Sequence, residues 1–357
     1  MGDERALQIW VSIVAVSLAT LVLAAGLVVG PLWADTSSAQ DRVRVESVTG
    51  DTTVTITYTT DEAATEAVVT GVDPALSSAT DGWAILERSE LPDRLRGAST
   101  APGSGVVGFG EWALVGSATD ATVSIGAANL TVVSPAGRDV DPRRKAAFLR
   151  QFLSPYALDP DASEDVTLVA APDALAHQGA MYSDDSGYVT IEAFWDGDVG
   201  SVWIHEYVHA RQNFRLAPEM RWFREASAEY LSYRVLQEQY GEVSESDVRE
   251  RLDAFPAHEA VVLSNRSTWA GSGAEYHVGS RLLAAIDAEI RADTDGKKTL
   301  FDVFRAMNRQ DGAVSLADFV DIVEQRTGDD ESWVVSAVRG NRPVEAWSSP
   351  EPLQRPR

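Results

Sequence analysis

The sequence of 357 residues contains no cysteine. Disulfides, thiolate metal ligands and a cysteine nucleophile are therefore excluded, and any metal must be held by histidine and carboxylate. Lysine is nearly as scarce. It occurs only at Lys145, Lys297 and Lys298, so the positive charge is almost all arginine. Thirty basic residues stand against 54 acidic ones, a net charge of −24. A surface of that sign repels nucleic acid, which excludes DNA and RNA as partners. No second apolar stretch long enough to cross a bilayer follows residue 34.

Acidic residues are spread along the chain and not gathered in one tail. Together with the scarcity of lysine, this composition resembles that of halophile proteins. The physical expectation is a hydrated carboxylate surface that stays soluble where salt screens charge within a few ångströms. Residues Ile9 to Trp33 are almost wholly apolar, and no charge occurs from Leu7 to Ala34. That length suits a membrane-spanning helix and exceeds a secretory h-region, so an uncleaved N-terminal anchor in a lipid bilayer is expected. Export of the remainder is the simpler reading, with the rest of the chain extracytoplasmic. The sequons Asn129-Leu130-Thr131 and Asn265-Arg266-Ser267 agree with it.

The fold class expected is α+β. Residues 1–35 form the anchor and 36–41 a polar linker. Residues 42–138 read as a small β-rich domain, through alternating stretches such as Thr53 to Tyr58, Trp112 to Val115 and Ala121 to Val133. Residues 139–340 read as a second domain, and 341–357 as a disordered tail rich in proline and serine. Within the second domain, Asp141-Pro142 opens a helix, and Asp165 to Ala171 and Tyr188 to Phe194 are strands. An active-site helix follows, capped by Asp198 or Ser201. From 216 to 340 the pattern is mostly helical.

That active-site helix carries Trp203-Ile204-His205-Glu206-Tyr207-Val208-His209, an H-E-x-x-H spacing. On a helix His205 and His209 share one face and can bind one Zn²⁺ per chain, with Glu206 placed to deprotonate a bound water. A catalytic zinc site needs a third protein ligand. Glu225, 16 positions beyond His209 on the next helix, is the first candidate once the chain reverses through Leu216-Ala217-Pro218. Glu229, one turn on, either orients a ligand histidine or exchanges roles with Glu225. Arg211, Gln212, Asn213 and Arg215 follow at once, which places this helix in water and argues against an intramembrane protease. His177 and His258 have no partner at ligand spacing and are read as surface or packing residues.

H-E-x-x-H followed by Trp222-Phe223-Arg224-Glu225-Ala226-Ser227-Ala228-Glu229-Tyr230 resembles the gluzincin zinc metallopeptidases, specifically the peptidase MA-like group. These are distant relatives of the membrane alanyl and glycyl aminopeptidases and of thermolysin. The family's usual glycine after the metal-binding glutamate is Ala226 here. The resemblance implies a short β-sheet with an active-site helix, continuing into a helical part. Tyr276, in Tyr276-His277-Val278-Gly279, resembles the tyrosine that stabilises the oxyanion in the aminopeptidases, with His277 as an alternative. Gly179-Ala180-Met181-Tyr182 resembles a segment whose glutamate grips the substrate's amine. Tyr182 stands in that place, which puts exopeptidase action in doubt, and Asp184, Asp185 or Glu192 could substitute. The function implied is a membrane-anchored zinc peptidase acting on a peptide or protein. The alternative is a non-catalytic cell-surface binding protein on a peptidase scaffold.

Overall fold

The computed structural model describes residues 43–340, apart from 50–52, 60–63, 71, 97–104, 157, 160, 191–199, 241–242 and 255–260. The apolar run 9–33, Asp198, Glu192 and His258 lie outside the described residues. No helix among the described residues is long and apolar enough to cross a membrane.

The first strands are β1 (Val43–Thr49), β2 (Thr53–Thr59) and β3 (Ala64–Thr70), an antiparallel three-stranded sheet. A second sheet takes the order β4 (Ser77–Ser78), β5 (Trp83–Glu87), β7 (Trp112–Gly116), β6 (Val106–Phe109), with the short helix α1 (Asp93–Arg96) between β5 and β6. A third sheet of five strands follows: β8 (Ala118–Ile125), β9 (Ala128–Pro135), β10 (Val166–Ala171), β11 (Gly179–Met181) and β12 (Ser186–Thr190). Its order is β11-β12-β10-β9-β8. The stretch read as one strand from Ala121 to Val133 is thus a hairpin. Gly126 sits at φ 65°, a left-handed turn position glycine fills without strain. Because β9 pairs in parallel with β10, strands of one sheet stand on both sides of residues 138/139.

Side-chain alternation explains the stacking of these sheets. Ala84 and Leu86 pack with Val54 and Ile56 of the first sheet, while Trp83 and Ile85 on the other face pack with Val133 and Val169 of the third. Val132, Leu168 and Ala170, one residue out of phase, face the helices. Strands covered on both faces read as continuous apolar runs because a period of two puts alternate residues into different cores.

The helices are α2 (Pro142–Leu153), α3 (Val202–Ala210), α4 (Phe223–Tyr240), α5 (Glu245–Asp253), α6 (Ala274–Asp293), α7 (Leu300–Asn308), α8 (Leu316–Thr327) and α9 (Ser332–Arg339). Two-residue strands β13 (Arg215–Leu216) and β14 (Ala313–Val314) pair in parallel and fix the chain reversal between α3 and α4. Asp141 caps α2 by accepting from the amides of Arg143 and Arg144, as its Asp-Pro start predicts.

Two contacts set α6 against α4. A Cβ on Gly279 would come 2.6 Å from that of Ala226, so both positions must be small. Farther along, buried Asp287 accepts from Tyr230 Oη at 2.8 Å, Arg291 Nε at 2.8 Å and the amide of Leu300 at 2.6 Å, with Arg234 Nε 3.6 Å away. A buried carboxylate is tolerable only when so matched, and its removal takes one charge partner from each of Arg234 and Arg291 and leaves the Tyr230 hydroxyl and the Leu300 amide without their acceptor. Asp287→Ala should therefore lower unfolding stability by about 3–5 kcal/mol. An unchanged denaturant midpoint would show that this network does not hold α4, α6 and α7 together.

Candidate metal centre and cleft

Helix α3 begins where Ser201 Oγ accepts from the amide of Ile204 at 3.4 Å. Trp203, Ile204, Tyr207 and Val208 are fully packed against the sheet and α4, so the helix can turn only one narrow face outward. His205, Glu206 and His209 occupy that face. Arg211 and Gln212, expected to face water, are buried instead. Arg211 donates to Tyr207 Oη and to the carbonyl of Glu164 and lies over the Tyr207 ring. Most of their polarity is satisfied internally, although Arg211 Nη2 is buried without a hydrogen-bond partner.

His209 Nε2 lies 3.0 Å from His205 Nε2 and 3.0 Å from Glu225 Oε2, and His205 Nε2 lies 3.5 Å from the same oxygen. Edges of a tetrahedral zinc site with such ligands are about 3.3 Å. The three donors therefore form one face of a site of that size, and among the described residues they are the grouping that could hold a metal. The other ring nitrogens are held as well. His205 Nδ1 is 3.1 Å from Glu229 Oε2, and His209 Nδ1 is 3.0 Å from Gln212 Oε1. Gln212 is itself oriented by donating to the carbonyl of Arg224 at 2.7 Å and to Ser227 Oγ at 2.9 Å. Both imidazoles thereby have a partner at Nδ1 and direct Nε2 towards the centre. Tyr233 donates to Glu229 and holds it in turn.

The charge balance fits a cation. Burial favours a neutral His205, but hydrogen bonds to Glu225 and Glu229 outweigh it and push its titration up to about 10. Glu225 is the mirror case: burial would raise it, and its hydrogen bonds to His205 and His209 pull it well below the usual carboxylate range. Burial pushes the Glu206 carboxyl up, against the pull of the two histidines. Its Oε2 is buried with no hydrogen-bond partner.

A cleft of about 520 Å³ opens over the cluster. Its wall opposite α3 and α4 is Gln178 to Met181, the edge strand β11 with the residue before it. A Cβ on Gly179 would sit 2.5 Å from Glu206 Oε1 and 2.8 Å from Val202, so glycine is what lets the strand reach the helix. Tyr276, in the first turn of α6, also lines the cleft. Its ring stacks 5.9 Å from that of His205 and its hydroxyl hydrogen-bonds Glu225.

Other candidates fall elsewhere. Tyr182 does not line the cleft; its ring lies against Gly110, which takes φ 56° to admit it. His277 is also outside the lining. His177, read as a surface or packing residue, does line the cleft and acts on Glu206 electrostatically. Its proximity to Gly179 in sequence was the available signal. Gln212 was legible only as a polar residue three positions after His209, a spacing that puts it on the same helix face.

No protein-family model matches the sequence, and no curated protein matches it. Among solved structures the chain is similar to an aminopeptidase N family protein from Idiomarina loihiensis. The TM-score is 0.53 over 65% of this chain and 48% of that one, at 15% identity. It is also similar to an M1 zinc metallopeptidase from Deinococcus radiodurans bound to a Tyr-Ser-Ala substrate. There the TM-score is 0.49 over 67% and 56% of the two chains, at 17% identity. The chain spans about half the length of these structures. With the aminopeptidase N family protein it shares a fold.

Proposed function

We propose that this protein is a zinc-dependent peptidase. The observation that carries the reading is the convergence of His205, His209 and Glu225 beside a buried, unpartnered Glu206 oxygen, at the foot of an exposed strand edge. The fold shared with the aminopeptidase N family protein supports it. In this reading His205, His209 and Glu225 hold the ion, which supplies a lowered pKa for water and polarisation of the scissile carbonyl.

The chain's own residues do the rest. Strand β11 pairs with the extended peptide backbone and sets the carbonyl over the cluster. Glu206 takes a proton from the attacking water as the C–O bond forms, then passes it to the amine as the C–N bond breaks. Tyr276 donates a hydrogen bond to the oxygen on which negative charge develops. Residues 9–33 tether the enzyme to a bilayer, with the catalytic part outside the cytoplasm.

Glu206→Gln should retain one zinc per chain and lose about a hundredfold or more in peptide hydrolysis. Zinc retained with normal turnover would contradict the role of Glu206, and a wild-type protein that binds zinc yet cleaves nothing would favour a binding protein on this scaffold. Zinc uptake should also release protons, because a cation must displace the one His205 holds at neutral pH. Affinity should fall about tenfold per pH unit per proton displaced between about pH 8 and 6. Uptake that releases no protons would contradict this.

The chelated protein carries the opposite signature. A raised His205 stabilises fully below its usual 6.5 and fades as pH rises towards about 10; a lowered Glu225 stabilises above its usual 4.5 and fades in acid. The cluster's contribution to the melting temperature of that form should peak between these two values. A melting temperature flat across the range would exclude the pairing. For the tether, full-length protein should sediment with membranes and a chain lacking residues 1–35 should not; co-sedimentation of both would rule it out.

A further inference from the structure

Beside the cleft lies a second cavity of about 380 Å³ that shares Arg224 and Glu225 with it. Its floor is Trp269 and Leu216, and its charged walls are Arg221, Arg224, Arg266 and Glu275. The arginines come from two segments, 221–224 and the loop before α6. Arg221 ends the turn before α4, Arg224 opens α4, and Arg266 lies in the loop before α6. Sequence adjacency pairs Arg221 with Arg224, and the fold brings Arg266 to them.

Three guanidinium groups round one cavity are unexpected in a chain of net charge −24. Several other arginines find a carboxylate: Arg88 meets Asp184, Arg234 meets Glu238 and Glu245, Arg291 meets Asp287, and Arg305 meets Asp302. Among the described residues, the exposed side chains of Arg221, Arg224 and Arg266 make no hydrogen bond or ion pair, and Arg266 acts on Glu275 electrostatically. Carboxylates are plentiful, so the lack of a partner is not for want of them. Glu225 is committed to the two histidines, which leaves Glu275 as the other acid lining this cavity. The balance there is positive, in a cavity that opens onto the reacting centre at Glu225. A guanidinium group offers a planar fork of donors that matches a carboxylate in two parallel hydrogen bonds. The apolar floor accepts the methylene groups that carry such a carboxylate.

We infer that Arg221, Arg224 and Arg266 form a subsite for a substrate carboxylate, so that the enzyme selects peptides carrying a negative charge close to the scissile bond. The inference rests on the peptidase reading for what the subsite serves, and on the arginines alone for what it binds. The −24 surface makes the choice sharper. A general negative field disfavours acidic peptides everywhere, and this cavity is where one is locally welcome. An acidic side chain and a free C-terminal carboxylate present the same chemistry.

The test uses the full chain loaded with zinc as its Glu206→Gln variant, titrated calorimetrically with neutral hexapeptides. Each carries a single Glu walked through the positions, with Gln as the control, in free-acid and amidated forms. One register of Glu should bind roughly tenfold or more tightly than Gln, and R221Q/R224Q/R266Q should erase the gain. A gain that survives amidation identifies a side-chain carboxylate; a gain seen only with the free acid identifies the chain terminus. Either supports the subsite. Glu-to-Gln and acid-to-amide ratios all within about twofold, or a gain untouched by the triple variant, would overturn it. Wild-type cleavage of the same peptides separates the two readings. Cleavage without a carboxylate gain removes the subsite and leaves the peptidase. A gain without cleavage does the reverse.

Discussion

Two imidazoles and three carboxylates gathered in one place, His205 and Glu206 buried and the others half-buried, constrain everything around them. His205 and His209 can present Nε2 to a common point only if something fixes their Nδ1 atoms, and Glu229 and Gln212 do so. Glu229 is held by Tyr233, and Gln212 by the first turn of α4. Charges and ring nitrogens so closely packed are costly unless each meets a partner. The arrangement therefore requires α3 and α4 to be placed to within a few tenths of an ångström. Most of the helical part can be understood as meeting that requirement.

The scaffold works outward from α4. One face carries Glu225 and Glu229 towards α3, and another carries Ala226 and Tyr230 towards α6. The close approach at Ala226 and Gly279 brings α6 near enough for Tyr276 to reach Glu225. The network on Asp287 locks α6 to α4 and to the start of α7 from the far end. On the other flank, Gly179 brings the sheet edge against Glu206. Small residues at two positions, Gly179 and the Ala226–Gly279 pair, thus set both walls of the cleft. The fold supplies rigidity, and the side chains at its outward face supply chemistry.

Much of this was legible in the sequence, where the signal was local and periodic. The H-E-x-x-H spacing and the Glu225/Glu229 repeat are helix-face patterns, and the structure brings those residues together. The Asp141-Pro142 start was equally plain. Strands buried on both faces were harder, since alternation fails as a signal when both neighbours are apolar; β5 was missed for that reason, and the β8–β9 hairpin was read as one strand. Tertiary features left no local trace at all. Nothing in the sequence says that Arg211 folds back over Tyr207, or that Arg266 meets Arg221 and Arg224. Tyr182 was singled out by a resemblance of sequence position, and its ring lies against Gly110, outside the cleft lining.

The account stands on a single centre, and that centre can be located. Anomalous diffraction at the zinc edge from crystals of the zinc-loaded protein would measure it most directly. One strong peak is predicted, within bonding distance of His205 Nε2, His209 Nε2 and the Glu225 carboxylate, with Glu229 and Gln212 still on the Nδ1 atoms. A saturated protein whose zinc lies elsewhere, or whose peak is bound by Glu229 in place of Glu225, would contradict the account.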